Sequence, residues 1–262
     1  MLIERGAPRG GSPSRTGEPV KVEICVDRVD SALVAEAAGA DRVELCADLS
    51  VGGITPSIGM VATVLRAVRR VGVHVLIRPR GGDFRYSALE RDVMAADIDA
   101  VCALAEKAAV PVGFVLGALT DADEIDVAVT RDLVRRCAGR PVTFHKAFDR
   151  IGDLERGLDA LLDLGVDRVL TSGGRPSAVE GTPALASLVA RAGRRIVVLA
   201  GGGVRPGNAR TVVARTGVPE VHLRAHEAAV VAAVRAEVDG TVFPSDRVGV
   251  ERSGGEDPSY RT

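Results

Sequence analysis

Two short strings carry a carboxylate and a thiol at the same spacing: VEIC at 22–25 and VELC at 43–46. In an extended segment, residues two apart share a face. Glu23 with Cys25, and Glu44 with Cys46, therefore point the same way on what read as neighbouring strands. Such a group suits two chemistries: soft thiolates bind Cu(I), and carboxylates move protons. Cysteines that merely fill a packed layer as small apolar groups are the third possibility. Zinc asks for three or four well-placed ligands, and the thiols alone do not supply them.

Other polar residues fall on strand phase as well. Arg78 and Arg80 share a phase at the start of RPRGGDFRYS, Thr143 shares one with His145, and Glu220 with His222. Together they predict an inward cluster of Glu44, Arg78, His145, Glu220 and His222, with Cys25 and Cys46 beside it. Buried charges must pair or stay hydrated. Arg78 and Arg80 have Glu23, Glu44, Asp83 and Glu220 to pair with, so a structural ion-pair network is the plain alternative to a site. His145 reads as a general base titrating near neutrality, with Asp149 as its orienting partner or as an acid in its own right. Lys146 alternates outward and His74 sits at the strand end away from the chemistry. Cys102 and Cys137 fall on helical patterns as small apolar residues. Two glycine-rich strings, LTSGG (170–174) and LAGGGVRPGN (199–208), could cradle an anion on backbone N–H groups. The expected contributors are Ser172, Gly173, Gly201, Gly202 and Gly203; tight turns are the alternative.

The elements that must position these groups alternate regularly. Candidate strands lie at 20–26, 42–47, 74–79, 113–119, 141–148, 168–172, 196–201 and 220–225. Helical patterns lie between them at 31–39, 57–71, 88–109, 126–138, 153–164, 182–193 and 206–216. This alternation predicts an α/β fold with a parallel sheet, and eight strands close into a (β/α)8 TIM-type barrel. A doubly wound open sheet is the rival. The strings AAGADRVEL, LGVDRVL and TGVPEVHL each put Gly just past a helix, which fits a left-handed cap. After the eighth strand, 227–238 could form a helix, but a firm final helix is not evident, and the last wall of the barrel reads as missing or irregular. The expected organisation is a flexible tail over 1–19, a barrel over 20–240 and an irregular tail over 241–262.

Composition narrows the function classes. The net charge of −1 gives no reason to expect nucleic acid or an anionic membrane as a partner. With 3% aromatic residues and no Trp, platforms for stacking bases are scarce. No apolar run is long enough to span a membrane, and the N-terminus lacks the apolar core of a signal peptide. A cytoplasmic location with reduced thiols is expected. No organic cofactor is indicated.

The string at 22–59 resembles the opening of the CutC family. So do IRPRGGDFRYS (77–87), PVTFHKAFDR (141–150), LGVDRVLTSGG (164–174) and VLAGGGVRPGN (198–208). EVHLRA (220–225) is similar to the family's last strand. The resemblance implies a TIM-type barrel, a link to copper homeostasis, a cytoplasmic location and a homo-oligomer. It implies copper ligation at Cys25 and Cys46. It also implies a polar set of Glu44, Arg78, Arg80, Asp83, Tyr86, His145, Asp149 and Glu220 at the barrel mouth. Lys146 departs from the family, which often carries Arg there.

Two functions are therefore expected of this chain. One is Cu(I) binding by Cys25 and Cys46. The other is an enzyme acting on a small anionic metabolite, a carboxylate or phosphate. In that reading Arg78 and Arg80 hold the anion, the loops at 171–174 and 201–203 hold a second anionic group, and Glu44 and His145 transfer protons.

Overall fold

The apolar runs form strands where the pattern places them: β1 (Lys21–Val26), β2 (Arg42–Leu45), β3 (Gly72–Leu76), β4 (Val112–Leu116), β5 (Val142–Phe144), β6 (Arg168–Thr171), β7 (Val197–Gly201) and β8 (Glu220–Arg224). The computed structural model describes residues 18–239. The tail expected over 241–262, and all but the last two residues of that expected over 1–19, lie outside them. Neighbouring strands are parallel in sequence order, and β8 pairs back onto β1, so the sheet is a closed barrel and not an open doubly wound one. Strands covered on both faces are buried almost throughout, as near-continuous Val/Ile/Leu runs require.

The outer ring consists of α1 (Val29–Ala37), α2 (Ile58–Ala67), α3 (Ala88–Ala105), α4 (Val127–Arg136), α5 (Leu154–Asp163), α6 (Thr182–Ala192), α7 (Ala209–Thr216) and α8 (Ala228–Asp239). The last of these corrects the expectation of a missing final helix. Val231, Val234 and Val238 form its buried face, and Arg235 ties it to the barrel through Asp41, at 2.7 Å, and the Val20 carbonyl. In EAAVVAAVRAEV, alanine and valine lie on every side, so the amphipathic contrast that marks a helix is weak. Stronger local signals start the other helices. Ser87 and Glu90 make a reciprocal capping box on α3, and Asp126 and Asp153 cap α4 and α5.

The repeated Asp-Arg-Val string does equivalent work twice. Asp41 accepts the Val22 N–H at 2.7 Å and Asp167 accepts the Val142 N–H at 2.8 Å, each carboxylate fastening the start of the preceding strand. The arginine that follows, Arg42 or Arg168, enters the barrel, and both reach Glu220. Gly39, Gly165 and Gly217, the cap glycines of the three repeated strings, have φ of 91°, 71° and 70°, the left-handed region that glycine enters without penalty.

Glycine also makes room inside the ring. A Cβ on Gly113 in β4 would stand 2.5 Å from His74 Nε2 and 2.7 Å from the Pro141 carbonyl oxygen. The carbonyl stands just before β5 and accepts the Phe114 N–H at 2.8 Å, so it cannot turn aside. Gly113→Ala is expected to cost about 1–3 kcal/mol, measured as a lower urea midpoint at unchanged slope. A midpoint equal to the parent's would show that the barrel absorbs the methyl group.

Candidate functional site

The inward side chains form levels along the barrel axis, set by the strand register. Glu23 lies beside Arg42 and His222, and Cys25 lies one step higher, beside Glu44 and Arg224. At the lower level Arg42 bonds both Glu23 and Glu220, and Arg168 Nε reaches Glu220 at 3.1 Å. Burial raises the cost of ionising Glu23, but Arg42 and His222 outweigh it and hold the carboxyl well below its ordinary range. Glu220 belongs to this network. It opens β8, two residues before His222 and so about 6.6 Å further down the strand, and it does not line the mouth. Glu220 and His222 share the inward face at different heights.

Above the network Glu23 bonds His222 Nδ1 at 2.7 Å, and His222 Nε2 faces Glu44 Oε2 at 3.4 Å. Burial pushes Glu44 up to about 7; His222 opposes the shift and the Glu23 charge adds to it. Burial alone would lower His222, yet its bonds to Glu23 and the charge of Glu44 raise it. The Cys25 sulfur, a Glu44 oxygen and a His222 nitrogen lie within 4.8 Å of one another. Cys46 Sγ is 3.6 Å from Cys25 Sγ and donates to the Val26 carbonyl at 3.4 Å. The bond to Cys46, then burial, then the Glu44 charge push the Cys25 thiol well above its usual range.

These groups floor a cavity of about 410 Å³ at the carboxyl ends of the strands. Its lining includes Cys25, Glu44, Cys46, Arg78, His145, Lys146, Gly202, Gly203 and His222, with Leu49, Leu76, Phe84 and Leu170 as apolar wall. This is a size suited to a small molecule, at the end where barrels place their sites. Arg78 is buried, 5% exposed. Its guanidinium donates to the carbonyls of Val51 (3.1 Å), Gly53 (2.8 Å) and Gly82 (2.9 Å) and stacks 4.8 Å from the Phe84 ring. Among the described residues it has no carboxylate partner.

His145 lines the same cavity but is not the base expected. Burial and the neighbouring Arg78 charge hold it at about 3, so it is neutral at physiological pH. Its Nδ1 accepts the Ala147 N–H at 3.3 Å, which leaves the proton on Nε2, a buried donor without a partner among the described residues. Asp149 does not orient it. That carboxylate instead accepts from the N–H groups of Ser172 (3.0 Å) and Gly174 (2.9 Å), from the Thr171 hydroxyl (2.5 Å) and from Lys146 (2.9 Å). The LTSGG loop therefore spends its donors on Asp149, and Gly173 N–H goes to Thr171, so Ser172 and Gly173 are not a free anion cradle. The β7 loop differs: Gly202 and Gly203 line the cavity. Gly201 serves by its bareness, because a Cβ there would stand 2.5 Å from Leu170 and 3.3 Å from His222.

Arg80, Asp83 and Tyr86 stand outside the cavity. Arg80 bonds Asp83 at 2.9 Å and Glu90 at 2.5 Å and lies 5.5 Å from the Tyr86 ring, clamping the loop onto the start of α3. Lys146 is the converse case. A short 3-10 turn over Lys146–Arg150 follows β5, so strand alternation stops at His145 and the lysine turns toward the mouth. Its Nζ donates to Ser172 Oγ at 2.9 Å. Arg42 also escaped notice, although it stands two residues before Glu44, on the same face.

A model of the CutC family matches residues 20–227. The human copper homeostasis protein cutC homolog is 47% identical over 204 residues, covering 78% of this chain and 72% of that protein. A CutC family protein of Xylella fastidiosa (strain Temecula1) is 44% identical over 230 residues, 88% of this chain and 83% of the relative. The crystal structure of CutC from Streptococcus agalactiae superposes with a TM-score of 0.72 at 34% identity, covering 78% of this chain and 97% of that one. Phosphoribosylanthranilate isomerase of Pyrococcus furiosus, at TM-score 0.54 and 13% identity over 85% of this chain and all of the other, shares the fold alone.

Proposed function

This chain belongs to the CutC family, and from that premise we propose that its barrel mouth is an enzyme site for a small anionic metabolite, held by Arg78. One contrast carries the reading. Arg42, equally buried, is neutralised by two carboxylates, whereas Arg78 is fixed by three carbonyls that leave its full charge in place. An uncompensated buried charge costs several kcal/mol, and a carboxylate or phosphate entering the cavity removes that cost. Lys146 lines the same space. The Nε2–H of neutral His145 can donate to an oxygen of the substrate, and Glu44, half-protonated near pH 7, can carry a proton. Glu23, locked by Arg42, keeps His222 facing Glu44.

The test is thermal unfolding with a panel of small carboxylates and phosphates. At least one should raise the Tm of the parent, and Arg78→Met should weaken that ligand about 10- to 100-fold, the worth of a charge-assisted bond. A panel without effect on the parent, or an equal effect on the variant, would falsify the reading.

A second reading rests on the sulfur pair. Two thiols 3.6 Å apart are soft donors close enough to share one Cu(I) once they lose their protons. About one Cu(I) per chain is expected in a chelator competition, and none in the Cys25→Ala, Cys46→Ala double variant. Undiminished copper binding by that variant rules the pair out.

A further inference from the structure

We propose that Cys25, Glu44 and His222 form a three-ligand site for a divalent cation of the zinc class, with an open fourth position facing the cavity. The site stands on ligand geometry. Its catalytic use alone rests on the reading of the mouth as an enzyme site, with Glu44 serving the loaded chain as a ligand in place of a proton carrier.

The three ligand atoms come from β1, β2 and β8, neighbours in the closed ring, and lie within 4.8 Å of one another. His222 Nε2 and Glu44 Oε2 are 3.4 Å apart. Tetrahedral zinc, with bonds of about 2.0–2.1 Å to nitrogen and oxygen, sets such a pair about 3.3 Å apart. His222 is already prepared as a ligand. Its other nitrogen, Nδ1, bonds the Glu23 carboxylate at 2.7 Å, and Glu23 is itself bonded by Arg42. A carboxylate behind the imidazole orients metal-binding histidines and raises their basicity.

Charge agrees with geometry. One thiolate, one carboxylate and one neutral imidazole cancel a dication, so the loaded site adds no net charge to the barrel interior. Loading releases the Cys25 thiol proton to solvent, together with a proton from Glu44 and from His222 Nε2 where those are present. Cys46 is outside the set: it is fully buried, and its thiol donates to the Val26 carbonyl. Three protein ligands with one position open is the arrangement of catalytic zinc. Here that position adjoins the space where Arg78 would hold an anion, so a water or substrate oxygen could occupy it.

The test uses the full chain stripped of metal and titrated with Co2+, a spectroscopic stand-in for zinc. The parent should take up one Co2+ per chain with a thiolate-to-cobalt charge-transfer band. Cys25→Ser and His222→Ala should lose the band, Cys46→Ser should keep it, and Glu23→Gln should bind 10- to 100-fold more weakly. A parent spectrum without the charge-transfer band overturns the proposal with no variant needed. So does a band that survives in His222→Ala, or one that requires Cys46, which would assign the metal to the sulfur pair. Anion binding by the metal-free chain is scored separately through Arg78→Met: its presence without cobalt binding leaves the anion site standing and removes the metal site, and the reverse separates them the other way.

Discussion

Arg42→Met lowers the unfolding free energy by about 3–5 kcal/mol, the cost of leaving a buried ion network without its central partner. The side chain lies between Glu23 and Glu220, both almost wholly buried. Glu220 keeps Arg168 and Glu23 keeps His222 after the substitution, but a guanidinium that served both carboxylates is gone. The loss should fall mainly on Glu23, whose low ionisation range depends most on Arg42 among its favourable contacts. The deficit should therefore shrink on acidification, because a protonated Glu23 no longer needs a counter-charge. Urea unfolding of parent and variant at pH 7 and pH 4 measures both effects. An equal deficit at the two values would mean that the arginine acts through packing.

Acid should weaken the protein gently from about pH 6.5 and steeply below about 4.5, and two histidines determine much of that loss. His74 and His145 are buried and held at about 3, against an unfolded value of 6.5. Burial is the main cause for both, with Arg42 acting on His74 and Arg78 on His145. Between 6.5 and 3 the unfolded chain takes up protons that these folded histidines refuse. Stability falls there by about 1.4 kcal/mol per pH unit for each of them. Glu44 works in the opposite sense. Its folded form holds a proton up to about 7 where the unfolded form releases it at 4.5, so it gains stability as pH falls across that interval. His222, raised in the folded state, likewise loses nothing on acidification. Between pH 6.5 and 4.5 Glu44 offsets about one of the two histidines, so stability falls gently; below 4.5 Glu23 joins the histidines and Glu44 no longer opposes them. His74→Asn should flatten the fall between 6.5 and 3 by a few kcal/mol in a pH series of urea midpoints. An unchanged slope would show that His74 is protonated in the folded barrel.

The order of the eight strands and of the first seven helices, the closure of the ring and the shared face of Glu23 with Cys25 and of Glu220 with His222 were legible in the sequence. Periods of two and of 3.6 are local properties of the chain, visible in runs such as VEIC and VELC. Depth along the barrel was not legible. Glu220 and His222 share a face, yet one joins Arg42 and Arg168 below while the other meets Glu44 above, because register with β1 and β7 sets height and those strands are remote in sequence. Turns beyond strand ends also escaped: a single 3-10 turn brings Lys146 into the cavity, and a local clamp on α3 keeps Arg80, Asp83 and Tyr86 out of it. Partner choice was decided last, by the folded ring. The sequence offered Arg78 four acidic groups, and the tertiary structure surrounded it with carbonyls instead, with no carboxylate partner among the described residues. Strand periodicity determines which way most side chains point; the closed barrel decides what the central ones meet, because Glu23 with Arg42 and His222, Glu44 with His222, and Cys25 with Cys46 join segments that the chain itself keeps far apart.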